Sequence, residues 1–250
     1  MTNNLPSTHI YELSELGFNL KNQVIQFNEA LINSLNSNTL SAIRNSFSRA
    51  ILVTNHGFCY VKISELRHLL RTGNSGADKY LWQIGIPGYS SPALSYSLDD
   101  NLCISGPDFC GLIDARIHLS RGKLNLYLRY VKAIYESIAY SSNIGDLRSL
   151  FIDDIASQRN KLKEQRILRY DISHCEFTGR KFDLSSEVQF AHIESVVTSP
   201  LNALNIDNGV IILRELHNEL TRYGIHDFAG MYDYCSQRNF SIIWAENFNL

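Results

Sequence analysis

Nothing in this 250-residue chain approaches the roughly 20 consecutive apolar residues of a membrane-spanning helix, and none is expected. The first residues, Met1-Thr-Asn-Asn-Leu-Pro6, lack the positive charge and apolar stretch of a signal peptide. The five cysteines are odd in number and scattered, with no Cys-x-x-Cys pair. That spacing argues against a disulfide framework and leads us to expect a reducing, cytoplasmic setting. Net charge is also scarce: 23 Lys and Arg face 25 Asp and Glu, leaving −2. Nucleic-acid binding therefore cannot rest on global charge; it needs a local basic patch, a metal or a partner. The Gly-rich segment Thr72-Gly-Asn-Ser-Gly76 is not followed by Gly-Lys-Ser/Thr, so it is no phosphate loop. No internal repeat or low-complexity tract is present.

What remains is an ordinary globular composition, 44% hydrophobic, long enough for one large or two small domains. We expect an α+β protein in two parts. Residues 1–150 would form a mostly helical region that positions a target or docks a partner. Residues 151–250 would form a second domain. In the first part, apolar spacing predicts helices over Leu20–Leu35, Thr39–Ile51 and, capped by Ser64, Glu65–Arg71. Ile51–Thr54 reads as a strand or a helix end, and Cys59–Ile63 as a short strand. Arg44 and Arg49 fall off the apolar face and read as solvated charges. Thr72–Pro107 reads as a long loop whose Tyr80, Trp82, Tyr89 and Tyr96 could anchor it or stack on bases. Helices follow at Leu112–Leu119, Lys123–Tyr140 and, capped by Asp146, Leu147–Tyr170.

The second part is organised around Phe190–Arg222. Val188–Ile193 suits a strand ending near His192, and Val210–Leu213 is β-branched and suits a buried strand. Asp207-Asn208-Gly209 reads as the turn before it, because Asn and Gly tolerate positive φ. From Arg214 the spacing of Leu216 and Leu220 predicts a helix, which Gly224 is placed to end. This order of strand, loop, strand and helix can bring His192, Asn208 and His217 to one spot. Beyond it, His226–Cys235 reads as a turn and short helix, and Phe240–Trp244 as a terminal strand.

Four blocks in register carry a resemblance. They are Cys175-x-x-Thr178-Gly179, Ala191-His192-Ile193, Asn208-Gly209 with three apolar residues after it, and Leu216-His217. With the basic lead-in Gln158–Tyr170, they resemble the restriction-type subgroup of the HNH endonucleases, the ββα-metal nucleases. The resemblance covers about Asp153 to Phe248. It implies a metal-dependent endonuclease that hydrolyses DNA, with His192 as general base. Asn208 would hold the loop carrying His192. His217 would bind a divalent metal, magnesium foremost, with manganese or zinc as alternatives. Two positions depart from the subgroup's pattern. Ala191 stands where many relatives place a second ligand, and Thr221 where an Asp often follows the Leu-His helix. Asp207, Glu194 or substrate oxygens would then have to complete the metal shell. Cys175, with His174 and Cys235, reads as a packed thiol rather than a zinc ligand.

Between Arg159 and Lys181 seven basic residues face three acids. Arg159, Lys161, Lys163, Arg166, Arg169, Arg180 and Lys181 are the candidate DNA contacts. A protein partner in a restriction or antiphage defence complex would offset the weak global charge. The competing readings are a catalytically reduced HNH-like subunit that binds DNA or supports assembly, and an unrelated helical interaction protein.

Overall fold

The computed structural model describes residues 2–4, 9–21, 25–246 and 248. The chain divides into two compact units, Met1–Phe151 and Ile152–Leu250, each with its own apolar core. Both combine helix and sheet, so the protein is of the α+β class. Among the described residues no helix is long and apolar enough to cross a membrane.

The first unit contains a six-stranded sheet that helical periodicity alone does not foretell. Its elements run β1 (Thr2–Asn4), β2 (Ile10–Glu12), α1 (Glu29–Asn33), α2 (Ser37–Ala50), β3 (Ile51–Thr54), β4 (Cys59–Lys62), α3 (Leu66–Leu69), α4 (Ala77–Ile84), β5 (Ser95–Leu98), β6 (Asn101–Ser105), α5 (Gly106–Leu119) and α6 (Gly122–Ala139). The strand order is β1-β5-β6-β4-β3-β2, with β1 parallel to β5 and every other pair antiparallel. Residues 72–107 are therefore not one long loop: they hold α4 and the β5–β6 hairpin. Asp99 and Asp100 both take positive φ at its tip, a conformation short polar side chains tolerate. Tyr96 packs edge-on against Tyr60 at 5.3 Å, Tyr89 lies against His118, and Trp82 is partly buried on the core. Of the four aromatics, Tyr80 is the most open to solvent.

Other expectations in this unit shift for local reasons. Among the described residues of the predicted Leu20–Leu35 helix, Glu29–Asn33 alone is helical. Asn28 starts it, accepting from the Ala30 and Leu31 amides at 3.0 and 3.3 Å, as an N-cap does. Leu20 and Ile25 are buried from irregular chain instead, and residues 22–24 lie outside the described set. Asn36 caps α2 through the Thr39 amide. Ser64 sits inside a 3-10 turn (Ile63–Glu65) rather than capping α3. Arg44 and Arg49 are not simply solvated. Arg44 donates to the Tyr130 hydroxyl at 2.7 Å, and Arg49 forks onto Glu65 at 3.0 and 2.9 Å.

The unit boundary falls within α7 (Ser142–Tyr170), which starts earlier than predicted and takes Asp146 into its interior. The second unit adds β7 (Val188–His192), β8 (Gly209–Leu213), α8 (Arg214–Tyr223), α9 (Phe228–Gln237) and α10 (Ile243–Glu246). β7 and β8 form an antiparallel pair in which His192 faces Gly209 and Val188 faces Leu213. Gly224, at φ +67°, ends α8 as expected, because a left-handed C-cap favours a residue without Cβ. Phe240–Trp244 is not a strand. The Ser241 amide is held by the Phe177 carbonyl at 2.8 Å, the chain turns into α10, and Trp244 packs on Phe177 and Phe228. Cys175 and Cys235 are buried thiols of this core. Burial pushes the Cys235 thiol up to about 12.

Candidate active site

His192 closes β7 as the strand reaches a loop, and its position is fixed from three sides. Its main chain pairs with Gly209. Phe190 lies edge-on to its ring at 5.0 Å. Its Nε2 is 2.8 Å from the Ala203 carbonyl oxygen. A carbonyl can only accept, so Nε2 carries the proton and Nδ1 is the basic nitrogen of the neutral ring.

Gly209 serves this arrangement by close approach rather than by turn geometry. Neither Asn208 nor Gly209 takes a positive φ, which corrects the turn expectation. A Cβ on Gly209 would meet the Phe190 ring at 2.1 Å. The turn before β8 is instead built by Asn205, whose side chain accepts from the Asp207 amide at 2.9 Å and whose carbonyl accepts from the Asn208 amide at 3.0 Å.

Asn208 is completely buried. Its Oδ1 accepts from the Glu194 amide at 2.8 Å, and its Nδ2 donates to the carbonyls of Glu194 and Asn202 at 3.0 and 3.1 Å. One side chain thus ties together both ends of the loop that follows His192. Ala203, the residue that orients the imidazole, lies in that same loop. Sequence reasoning missed Ala203 because it acts through its carbonyl, and side-chain chemistry gives no signal for it.

His217, on the first turns of α8, opens onto the same cavity as His192. The cavity holds about 280 Å³ and lies wholly within the second unit. Its polar lining comes from Arg159, His192, Ser195, His217, Thr221 and His226. Burial pulls both imidazoles below their ordinary value. The Ala203 carbonyl opposes this at His192, whereas the positive charge of Arg159 lowers both. Both rings are therefore held toward the neutral form that can accept a proton. His226 and Ser195 enter the cavity although the four motif blocks do not include them.

The fit to a metal is poor in its chemistry. No group of three His, Cys, Asp or Glu among the described residues is arranged to hold an ion. Glu194 uses its carboxylate to accept from the Phe228 amide at 3.1 Å, at the start of α9. Asp207 accepts from the Tyr170 hydroxyl. The Thr221 hydroxyl donates back to the His217 carbonyl at 3.0 Å. What remains are the imidazoles of His192, His217 and His226, nitrogen donors that suit magnesium poorly and that are not grouped as a zinc shell requires. These residues do not make a resident metal shell.

The seven basic residues separate sharply. Arg166 is turned inward. Its guanidinium forks onto Glu176 at 3.1 and 2.8 Å and donates to the Ile206 carbonyl at 2.8 Å, so it is a structural residue and not a phosphate contact. Lys163 donates to the carbonyl of Ser185 at 2.9 Å. Arg169 lies over the Tyr170 ring. Arg180 and Lys181 make exposed ion pairs with Glu215 and Asp183 at 3.6 and 3.7 Å. Lys161 is solvent-facing. Only Arg159 reaches the histidine cavity.

No family model, no curated protein and no solved structure matches this chain.

Proposed function

We propose that the second unit is an endonuclease of the ββα type, hydrolysing DNA phosphodiester bonds with His192 as general base. The observation that carries this reading is the Ala203 carbonyl at 2.8 Å from His192 Nε2. It leaves Nδ1 as a base on a ring that borders a cavity and is biased to be neutral near pH 7. The strand pair β7–β8 followed directly by α8 supplies the frame. Asn208 is the residue that keeps the base's loop in place.

In the proposed step, His192 Nδ1 removes a proton from a water as its oxygen attacks phosphorus, the P–O bond opposite breaks, the leaving sugar oxygen takes a proton from solvent water, and His192 returns its own proton to solvent. Asn208 acts through the Glu194 and Asn202 backbone and does not touch the substrate. A second reading, a DNA-binding subunit with reduced catalysis, is favoured by the absence of any carboxylate among the cavity's lining residues. Labelled linear duplex DNA, incubated with the purified chain in Mg²⁺, Mn²⁺ or EDTA, separates the two. The endonuclease reading expects shortened products that disappear in His192→Ala. Salt-sensitive binding with intact DNA under every condition supports the second reading.

A further inference from the structure

We propose that Arg159 is the phosphate-binding group of the histidine cavity, holding the scissile phosphodiester in the place where a resident metal shell is not built. This rests on the phosphodiester reading above. Three observations converge on it.

The first is the make-up of the cavity. Its lining contains one guanidinium, three imidazoles, a serine and a threonine hydroxyl, and no Asp or Glu. A concave site with cationic and hydrogen-bonding groups and no carboxylate is complementary to an anion.

The second is the place of Arg159 on α7. Ile155, Leu162 and Arg166 are buried, and Arg159 continues their spacing of four, three and four residues. That spacing marks one helix face. Arg159 lies in line with that stripe but is itself exposed, so its guanidinium lines the cavity from the solvent-accessible side. Lys161, two residues on, lies off that stripe.

The third is the state of the guanidinium. Among the described residues Arg159 has no hydrogen bond and no ion pair with a protein group, whereas Arg166, Arg180 and Lys181 are paired with carboxylates. Five N–H donors in a planar fork match two phosphoryl oxygens at once. Held there, a phosphodiester has its negative charge offset while His192 acts on the attacking water. A guanidinium can supply this charge stabilisation without any metal ligand.

The test uses the full chain and inorganic phosphate as probe, followed by the imidazole proton resonances of His192 and His217, assigned from single His variants. Phosphate is expected to shift both resonances saturably in the wild type and in Lys161→Ala. In Arg159→Ala the affinity is expected to fall on the order of 10- to 100-fold, the weight of charge-assisted hydrogen bonds, with partial recovery in Arg159→Lys. Equal affinity in wild type and Arg159→Ala, or no saturable shift in the wild type, overturns the proposal. Plasmid cleavage by the same proteins separates this inference from the reading beneath it. Arg159-dependent phosphate binding without cleavage by the wild type upholds the anion site and removes the nuclease. Cleavage by Arg159→Ala at the wild-type rate keeps the nuclease and overturns the role of Arg159.

Discussion

At the scale of single residues, Asn208 and Arg166 do the work that a metal shell or a disulfide does in other small domains. Asn208 satisfies one amide and two carbonyls from inside the fold. Asn208→Ala strands all three and is expected to cost about 3 kcal/mol, read from urea unfolding. Asn208→Asp should do no better, because its oxygens cannot donate. Arg166 forms a mostly buried fork with Glu176, whose Oε2 in turn accepts from the Ile211 amide. Arg166→Ala leaves a carboxylate without its cation, an expected loss of about 3 kcal/mol. His192 gives a pH signature. Its folded-state pKa lies below the ordinary 6.5 because burial disfavours the imidazolium. Its contribution is complete above about pH 6.5 and is lost as pH falls toward the lowered folded value. The difference in unfolding midpoint between pH 7.5 and pH 5 should therefore shrink in His192→Asn.

At the scale of elements, β7, β8 and α8 were legible because three different signals agreed: β-branched runs, leucines four apart, and a glycine at the C-cap. Gly209 was legible as necessary but for the wrong reason. A turn glycine and a glycine pressed against a phenylalanine ring look alike in sequence; here the cause is Phe190. Gly209→Ala is therefore expected to cost about 1–3 kcal/mol through overpacking, and Phe190→Leu should recover part of it, measured as the double variant's unfolding midpoint. The β5–β6 hairpin was lost among Gly, Ser and Pro because short strands carry weak periodicity. The seven basic residues looked equivalent in sequence. Their separation into one cavity cation, one buried structural pair and several surface charges depends, for the five on α7, on which face of the helix each occupies, and on partners such as Glu176 and Glu215 that the chain brings close only when folded.

At the scale of the whole molecule, two cores share no residue, and each unit holds one of the two tryptophans, Trp82 and Trp244. Single-tryptophan variants therefore report the cores separately. Phe47→Ala, in the first core, should move the Trp82 unfolding midpoint most, and Arg166→Ala that of Trp244. The histidine cavity belongs to the second core, so its chemistry should follow the Trp244 midpoint. The most direct measurement of the central claim is the rate at which the purified chain converts supercoiled plasmid to nicked or linear forms, compared between wild type and a folded His192→Ala. The account predicts conversion by the wild type and a loss of about 100-fold or more in the variant, the contribution of a general base. Conversion at the same rate by both proteins, or none by the wild type in Mg²⁺, Mn²⁺ or EDTA, would contradict it.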